Sequence, residues 1–488
     1  MVRGYIDRVE AADIITHYEA ALRGMGTVVE FDISSLDRLG VPVTTCSTLV
    51  RGRFDAQGNG YGRTLDAARI GGLGELAEGT VLGHALRSAL PAGVRACRRD
   101  LVLREGADGV VDPRTLGLPA GSTYDDDTVL TWLPTTRVRT GETVLVPADF
   151  LVSEAGLLEG EPLIPPVTNG LGAGLDAERA ITHGIGEILQ RHTNGLRFRA
   201  LDRRSPVIDP TTLPASVREL AERMHHVGVT PVFKHAATEY GVCSTYVMGV
   251  DDRADAGIES SACGEAAHPS AEVSLTKALL EYANSRARKM FCFGPSAQAR
   301  RLGPASYWDA VEAGASSRGE DRAFTAMRSW ADLTGDELRT LTAPKADRSV
   351  DYRDIVVPDL PALRTQADVL AHLLSSLDGR TPAHDVLAMV VTHDGVTVAK
   401  VLVTNLEVEI LSYGRIGELG VRASLEGDLG LVRVGADPTG SHTARVRLTA
   451  EAKDRLGGPA WYSYDVAERI VGDLYPLYRE PPRHSVAV

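Results

Sequence analysis

Three short pairs of oxygen-bearing side chains are the residues of this chain best suited to bind a metal ion together. Each pair is separated by three positions, which places both members on the same face of a helix. The pairs are Glu75 with Glu78, Glu187 with Gln190, and Glu281 with Asn284. Carboxylates brought close together repel one another unless a divalent cation lies among them, and Mg²⁺ prefers oxygen ligands that it shares with phosphate and water. The pattern therefore predicts helices that meet around Mg²⁺.

Arginines accompany these pairs. Arg191 follows Gln190 directly, and Arg286 and Arg288 lie within two helical turns of Glu281. Acidic groups and arginine beside a glycine-rich segment are typical of a site for a nucleoside triphosphate with Mg²⁺. The sequence contains no GxxxxGK[ST] pattern, so the predicted site is not a P-loop, and it contains no GxSxG, HExxH or EF-hand pattern.

The elements that must position the first two pairs repeat in the sequence. The segment from Gly58 reads GNGYGRTLDAARIGGLGELAEG, and the segment from Gly170 reads GLGAGLDAERAITHGIGEILQR. In both, GxGxG predicts a turn before a helix, and the glycine directly before the glutamate predicts a close approach of another backbone. Glycine costs a helix interior about 1 kcal/mol relative to alanine, so these glycines indicate that the acid-bearing helices pack together. In a fainter third copy, Gly264 stands as far before Glu281 as Gly58 stands before Glu75.

Plainer explanations stay open at this point. Two acids three positions apart are most often a solvated helix face, and the repeat is also compatible with a duplicated packing unit that binds nothing. A lone histidine near such motifs is more often a packing residue than a base, so no role is assigned to His183, His192 or His268. Cys263 with His268 is poor evidence for a zinc site, because zinc needs clustered ligands.

The same segments resemble the three acidic motifs of the YcaO superfamily. The family pattern GKGxxxxxALxSALxEAIER is matched by GYGRTLDAARIGGLGELAEG, and SNGLAAGxxxEEAxxxGLxELIER is matched by TNGLGAGLDAERAITHGIGEILQR. The third pattern, GxGxHPxPxxALxRALxEAxQSR, is matched by GEAAHPSAEVSLTKALLEYANSR. Supporting stretches are VEFDISSLDRLGVPV, TGETVLVPADFLV and the strands that end VLVTNLEVEI. The resemblance extends over roughly residues 20–412.

The resemblance implies an enzyme that uses ATP and Mg²⁺ to activate a backbone amide of a ribosomally synthesised precursor peptide. A phosphorylated amide oxygen leaves well, and the product is an azoline heterocycle, an amidine or a thioamide, depending on the nucleophile. Carried over by position, the implied metal ligands are Glu75, Glu78, Glu187 and Gln190. The implied catalytic residues are Glu75, Glu187 and Arg286. The implied nucleotide-binding residues are Arg63, Arg191, Glu281, Asn284 and Arg286.

Several positions depart from the family pattern. Gly79 stands where the first motif has arginine, and Gln190 replaces a glutamate of the second motif. Arg179 stands where the family has an acid, and Arg63 replaces the lysine of GKG, which keeps the charge but not the shape. These changes leave open a second function, that of a catalytically impaired partner subunit that binds the peptide or an active paralogue. The tail EPPRHSVAV differs from the PxPxP-like tail of azoline-forming relatives and favours another nucleophile.

The overall composition excludes other classes of partner. The chain has 52 Lys and Arg against 65 Asp and Glu, a formal charge of −13, which opposes bulk attraction to nucleic acid or an anionic membrane. No stretch approaches the roughly 18 apolar residues of a membrane span, and the start MVRGYIDRVE has no apolar signal core. Five scattered cysteines suit a reducing compartment. We expect a cytoplasmic protein with a peptide substrate, a separate leader-binding or second YcaO-like partner, and the homodimeric state common in the family.

Periodicity and turn signals predict an α/β (α+β) fold with mixed strands and helices. The resemblance implies a YcaO-like fold in which mixed sheets and packed helices line an ATP site. Helices are predicted at 12–24, 65–90, 176–193, 270–289, 364–377 and near 464–474. Strands are predicted within 40–54, 131–152, 230–250 and 385–406, the last as a hairpin around Asp394-Gly395. We expect a YcaO-like catalytic region at 1–412 and a C-terminal segment at 413–488 with strands, one helix and a proline-bearing tail.

Overall fold

The computed structural model describes residues 11–154, 156–253, 256–314, 320–358, 360–407, 409–438 and 442–486. The first ten residues and the last two of the predicted tail lie outside the described residues. The strands are β1 (Thr27–Asp32), β2 (Val43–Val50), β3 (Arg53–Tyr61), β4 (Val94–Cys97), β5 (Val129–Arg137), β6 (Thr143–Pro147), β7 (Leu171–Gly174), β8 (Val207–Ile208), β9 (Val229–Glu239), β10 (Val242–Asp251), β11 (Gly264–His268), β12 (Ser349–Val350), β13 (Val386–His393), β14 (Val396–Val403), β15 (Val432–Val434), β16 (Thr443–Arg445) and β17 (Ala460–Ser463).

The α-helices alternate with these strands along the chain. They are α1 (Ala11–Leu22), α2 (Leu65–Ala89), α3 (Arg98–Glu105), α4 (Ala177–Leu196), α5 (Ala215–His226), α6 (Ala271–Phe293), α7 (Ser296–Ala299), α8 (Ala305–Gly314), α9 (Asp321–Ala331), α10 (Gly335–Thr342), α11 (Gln366–Leu377), α12 (Ile410–Tyr413), α13 (Glu418–Glu426), α14 (Ala450–Leu456) and α15 (Tyr464–Val471). The mixed α/β fold predicted from the sequence is confirmed.

The strands form four sheets, and the three acid-bearing helices pack on different ones. The strand orders are β1-β2-β3, β11-β10-β9-β8-β12, β4-β5-β13-β14-β7 with β6 beside β5, and β15-β17-β16. Helix α2 packs on β2 and β3, α4 packs on β7 and β14, and α6 packs on β10 and β11. Three sheets therefore present one helix each toward the same region of the molecule.

Each of these long helices begins at a side-chain cap. Thr64, Asp176 and Ser270 accept hydrogen bonds from the backbone N–H three residues later, which satisfies an otherwise free donor of the first turn. Their apolar faces enter separate buried clusters. Leu73 and Leu76 of α2, for example, are almost fully buried against α1 and the β4–β7 sheet. The caps and the apolar periodicity explain why the sequence predicted these three helices well.

The glycines of the repeat make close contacts between each helix and its own preceding strand. A Cβ atom on Gly60 of β3 would overlap the backbone of α2 at Ala68 and Gly72, and a Cβ on Gly172 of β7 would overlap α4 at Ala180. The GxGxG segments are thus strand ends and not the turns that the sequence predicted, because alternate strand residues must face a helix at van der Waals distance.

Gly74 and Gly186, the glycines directly before the glutamates, do not contact the backbone of another element. Gly186 has no atom within 4 Å of an added Cβ, and an added Cβ on Gly74 would meet only the Tyr18 side chain, whose hydroxyl oxygen would lie 3.5 Å away. The prediction that these two admit another backbone is wrong. The contact-making glycines of the helices are Gly72 and Gly184, two residues earlier, where the strand passes closest.

The C-terminal segment is richer in helix than the sequence predicted. Besides α15 it contains α13 and α14, so the prediction of one helix is wrong. Helix α14 spans only seven residues, and α13 contains a buried glycine, Gly420, so neither has a strong periodic signal. The segment packs around a cluster that includes Tyr462 and Tyr475. Within the described residues, no helix combines the length and the apolar character needed to cross a bilayer.

Candidate active site

Helices α2, α4 and α6 surround a cavity of about 990 Å³. Most of the residues predicted from the sequence line this cavity, and they are Glu75, Glu78, Glu187, Gln190, Arg191, Glu281 and Asn284. The structure therefore brings together side chains from three distant motifs, as the repeated pattern predicted. Arg63 and Arg286 do not line the cavity.

Glu75 and Glu187 occupy equivalent positions in their helix–strand units. Glu75 Oε2 accepts a hydrogen bond from the backbone N–H of Asn59 in β3, with an N···O distance of 2.7 Å. Glu187 Oε2 accepts one from the N–H of Gly170, directly before β7, at 2.9 Å. One oxygen of each carboxylate is fixed by its own strand, which leaves the second oxygen for interactions across the cavity.

The pKa values of the acids on α2 and α4 are raised. Enclosure by protein raises the pKa of Glu75 and Glu187, and it raises the pKa of Glu78 well above the usual value for a carboxyl. Repulsion from neighbouring carboxylates adds to the shift, with Glu187 acting on both Glu75 and Glu78. Like charges held in a poorly solvated space are unstable without a counter-charge, so this group of acids is suited to a cation.

The donor set fits Mg²⁺ bound together with other oxygen ligands. Among the described residues, no group of three or more His, Cys, Asp and Glu side chains is arranged to hold a metal ion by itself. Mg²⁺ in proteins commonly takes one or two carboxylates and completes its octahedron with phosphate oxygens and water. The spaced acids of this cavity match that mode better than they match a closed, all-protein metal cage.

The third helix adds Glu281 and Asn284. The hydroxyl of Tyr61 donates to Glu281 Oε2 at 3.1 Å, and burial, followed by the charge of Glu265, raises the pKa of Glu281 to about 7. The side-chain oxygen Oδ1 of Asn284 is buried and has no hydrogen-bond partner among the described residues. A buried acceptor without a partner costs free energy, and a ligand in the cavity would remove that cost.

A basic group occupies the inner end of the cavity, which we define by Arg191, Arg199, Glu265, Arg288 and Lys289. The Nη1 atoms of Arg191 and Arg199 lie 2.5 and 2.8 Å from the same oxygen of Glu265. Arg191 also approaches Glu187, at 3.7 Å. Arg199 also lies 3.9 Å from Glu409, so both arginines have carboxylate neighbours. Arg191 Nε and Arg199 Nε are buried and have no hydrogen-bond partner among the described residues, and guanidinium donors of this kind suit an anion such as phosphate.

The C-terminal segment closes the inner end. Tyr478 and Glu480 line the cavity, and Glu480 forms an ion pair with Arg288. Burial opposes ionisation of Glu480, but the charges of Arg288 and Lys289 hold its pKa below the usual value. Arg483 fixes the segment further, because its Nη1 donates to Thr45 Oγ1 of β2 at 2.8 Å. The proline-bearing tail thus forms part of the cavity wall.

The position of Arg286 corrects the sequence-based assignment. Its fully buried guanidinium donates to Asp37 and to Asp251, with Nη2···O distances of 2.9 Å to each, on the side of α6 away from the cavity. Arg286 follows Glu281 by five residues, which rotates it about 140° around the helix, whereas Arg288 follows by seven and returns to the same face. The geometry therefore places Arg288, and not Arg286, where a phosphate could bind.

Arg63 also lies elsewhere. It is exposed and donates to the backbone oxygen of Ser216 at 3.4 Å, so the structure does not bring it to the predicted nucleotide site. Sequence reasoning missed Glu265, Lys289 and Glu480 as cavity residues. The helical spacing from Glu281 was a signal for Arg288, but contacts such as that of Glu480 depend on the fold of the whole chain.

Comparison with known proteins assigns the family. Residues 59–407, well over half of the chain, match the model of the family described as YcaO cyclodehydratase, ATP- and Mg²⁺-binding. The chain belongs to the YcaO family. ATP and Mg²⁺, the ligands predicted from the sequence, are the ligands by which this family is described.

Solved YcaO-type structures share the fold. YcaO from Methanopyrus kandleri, bound with AMPPCP and Mg²⁺, is 20% identical with a TM-score of 0.55, and the match covers 82% of this chain and 91% of that one. A heterocyclase in complex with substrate and cofactor is 14% identical with a TM-score of 0.57, covering 81% of this chain and 52% of that one. An uncharacterised protein of Methanothermobacter thermautotrophicus is 32% identical over 190 residues, which are 38% of this chain and 48% of that relative. The match thus spans about half the length of that relative.

Proposed function

We propose that this YcaO-family chain uses ATP and Mg²⁺ to activate a backbone amide of a ribosomally synthesised peptide. The observation that carries the proposal is the meeting of acids from α2, α4 and α6 in one cavity, beside an inner end rich in arginine. This arrangement provides one place for a divalent cation and an adjacent place for phosphate groups, as a magnesium–nucleotide complex requires. The product is a heterocycle, an amidine or a thioamide, according to the nucleophile.

The acids of α2 and α4 would hold the metal ion. Glu75, Glu78 and Glu187 supply carboxylate oxygens, and Gln190 supplies a neutral amide oxygen where the family pattern has an acid. The backbone hydrogen bonds to Glu75 and Glu187 hold these side chains in place before a ligand binds. Such preorganisation lowers the cost of ordering the site.

The arginines of the inner end would bind the phosphates. Arg191 and Arg288 are the assigned residues, and Arg199 supports them through Glu265. Bound ATP would supply the phosphoryl group that converts the amide oxygen into a leaving group. The role of the protein is then to orient the amide and to stabilise negative charge that develops on the phosphoryl oxygens, for which guanidinium groups are well suited.

Glu281 would accept a proton from the nucleophile that attacks the amide. A pKa of about 7 lies near neutral pH, where a general base combines a large ionised fraction with sufficient basicity. The hydroxyl of Tyr61 orients this carboxylate. Asn284, one turn further along α6, offers its free side-chain oxygen to a donor group of the substrate or the nucleotide.

Two measurements test this function. Calorimetric titration of the full chain with AMPPCP should give saturable binding that depends on Mg²⁺ and is lost in Glu75→Ala. Peptides encoded beside the gene should then be incubated with ATP after isotopic labelling of their carbonyl oxygens. We expect the label in the released phosphate, and phosphate that carries no label from a modified peptide would contradict amide O-phosphorylation.

A second candidate function is that of a partner subunit with an impaired nucleotide site. Its support is the loss of two charged family positions, at Gly79 and Gln190. A chain that binds peptide but no AMPPCP would favour this role, together with an active YcaO-like paralogue that supplies the chemistry. A leader-binding protein and a homodimeric state are further proposals, and analytical ultracentrifugation with and without the peptide tests both.

A further inference from the structure

Lys400 is a buried lysine that does not line the cavity but lies behind its acids. It belongs to β14, which stands between β13 and β7 in its sheet, and only 1% of the residue is exposed. Its Nζ donates hydrogen bonds to the backbone oxygens of Val167 and Asn169, at 2.8 Å each. Strand β14 packs against both α2 and α4, so this strand lies beneath the two helices that carry the first acids.

The two oxygens that accept from Lys400 belong to the segment that leads into β7. We call residues 167–170 the entry segment. Its last residue, Gly170, donates its backbone N–H to Glu187 Oε2 at 2.9 Å. Gly170 has a φ of +83°, and a Cβ atom there would lie 2.2 Å from the backbone oxygen of Val401. The path of the entry segment therefore sets the direction of the N–H that holds Glu187, and Lys400 anchors that path.

The entry segment also approaches the arginine-rich inner end. The Nδ2 atom of Asn169 lies 3.5 Å from Glu409 Oε1. The same oxygen of Glu409 lies 3.9 Å from Nη2 of Arg199. One short stretch of backbone is thus connected to an acid of the cavity on one side and to the inner end on the other.

The charge of Lys400 is coupled to the cavity acids, but its contacts do not depend on that charge. Burial lowers the pKa of Lys400 to about 7, and the carboxylates of Glu187 and Glu78 oppose this shift. An ammonium group has three N–H donors and a neutral amine has two. Either form can therefore donate to both carbonyl oxygens of the entry segment.

A second buried lysine makes the same type of contact elsewhere in the fold. Lys234 of β9 is fully buried, and its Nζ donates to the backbone oxygens of Asp202 and Lys345, at 2.9 and 2.5 Å. None of these three residues lines the cavity. Burial lowers the pKa of Lys234 to about 8. The two lysines resemble each other in burial and hydrogen bonding, and they differ in the segment that each one anchors.

We propose that Lys400 is a positioning residue for the metal ligand Glu187 and acts on it through the entry segment. This inference rests on the proposed function. Lys400 anchors the segment, and the N–H of Gly170 fixes one oxygen of Glu187, which leaves the other oxygen for the metal ion. Groups that orient a metal ligand from behind typically change metal affinity ten- to a hundredfold when they are removed.

Hydrogen exchange of the ligand-free full chain tests the anchoring step. Lys400→Met removes both hydrogen bonds to the entry segment, so peptides that cover residues 167–170 should exchange their amide hydrogens faster than in the wild type. Lys234→Met is the matched control and should leave the exchange of these peptides unchanged. Mass spectrometry of the proteolysed protein measures the rates.

Titration with AMPPCP tests the effect on the metal ligand. In the presence of Mg²⁺, Lys400→Met should bind AMPPCP about ten- to a hundredfold more weakly than the wild type, and Lys234→Met should bind like the wild type. In EDTA the three proteins should not differ, because Glu187 acts on the metal ion. A merely structural role would not produce a loss that depends on Mg²⁺.

Three results overturn the inference. They are unchanged exchange of the entry segment in Lys400→Met, a loss of AMPPCP affinity that persists in EDTA, and an equal loss in Lys234→Met. If the methionine variants do not fold, Lys400→Gln and Lys234→Gln replace them, with smaller effects in the same direction, because glutamine keeps two N–H donors on a shorter side chain. A wild type that binds no AMPPCP with Mg²⁺ defeats the proposed function, whereas normal binding in both the wild type and Lys400→Met defeats this inference alone.

Discussion

The two charged faces of helix α6 differ in how their charges are matched. On the face away from the cavity, Arg286 is fully buried and lies within hydrogen-bond distance of Asp37 and Asp251. On the cavity face, Lys277 has no ion pair with a described residue, and the protein partner of the Glu281 carboxylate is the neutral hydroxyl of Tyr61. On one face of α6 the arginine is paired with two carboxylates, and on the other face Lys277 and Glu281 form no ion pair with a described residue.

This difference distinguishes charges that stabilise the fold from charges that are available to bind a ligand. A buried ion pair with all its hydrogen bonds made needs no further partner, and its removal would leave uncompensated charges in the interior. Charged groups of the cavity that lack a direct ion pair, such as Glu281, gain from a ligand that supplies a counter-charge. Both faces belong to the same sequence motif, so the motif identifies the helix but not the function of each charge on it.

Removal of Arg286 tests the architectural face and should give the largest effect. Arg286→Ala leaves Asp37 and Asp251 buried with less counter-charge, and we expect a loss of about 3–5 kcal/mol in the free energy of unfolding. Chemical denaturation measures it. Arg288→Ala is the matched control on the cavity face. It breaks one partly exposed ion pair, with Glu480, so we expect a smaller loss of stability together with weaker AMPPCP binding. Equal stability of the two variants would contradict the assignment of the faces.

Neutralisation of the cavity acids should give the next largest effect. Glu75→Gln and Glu187→Gln keep an oxygen for the backbone hydrogen bond but remove the charge, and each should weaken Mg²⁺-dependent AMPPCP binding about ten- to a hundredfold. Isothermal titration measures the affinity. Glu178→Gln, an exposed position of α4 outside the cavity, should bind like the wild type. Unchanged affinity in both cavity variants would place the metal ion elsewhere.

The pH dependence of stability should show a moderate effect. Burial raises the pKa of Glu281 from its ordinary value of 4.5 to about 7, so between these two values the folded protein binds more protons than the unfolded chain. Stability of the ligand-free protein should therefore fall as the pH rises from about 4.5 to about 7. Thermal melts across this range should show a smaller decline for Glu281→Gln, and an identical decline would refute the assignment to Glu281.

The smallest predicted effect concerns the neutral member of the second acidic pair. Gln190→Glu restores the charge of the family pattern and should tighten Mg²⁺ binding by roughly threefold, measured by titration of the nucleotide complex with the metal. Gln298→Glu, on exposed α7, adds the same charge away from the cavity and should have no effect. If Gln190→Glu weakens binding, its side chain does not face the metal.

Much of the fold and of the candidate site could be predicted, because the informative signals are local. Regularly spaced apolar residues and the caps at Thr64, Asp176 and Ser270 define the three long helices, and the helix predicted at 65–90 is observed at Leu65–Ala89. The spacing of Glu75, Glu187 and their partners predicted that these side chains meet, and seven of the predicted side chains line one cavity. Helix geometry alone could also have excluded Arg286, since five residues from Glu281 is the wrong face.

Other features depend on contacts between distant parts of the chain. The ion pair between Arg288 and Glu480 joins α6 to the C-terminal segment, and the pairing of Arg191 with Glu265 joins α4 to β11. No local pattern encodes which strand passes close to which helix turn. For the same reason the repeat of glycines could be recognised in the sequence, but the glycines that contact the strand could not. They are Gly72 and Gly184, and not Gly74 and Gly186.

The glycine contacts between strand and helix also determine which substitutions this protein can tolerate during evolution. At Gly60 and Gly172 even a methyl group collides with main-chain atoms that cannot move aside, while Gly186 has open space around it. Random mutagenesis should accordingly find the first two positions closed to every replacement and Gly186 tolerant. Substitutions of the cavity side chains can change the chemistry of the site, but the distance between helix and strand, which sets the direction of those side chains, cannot change.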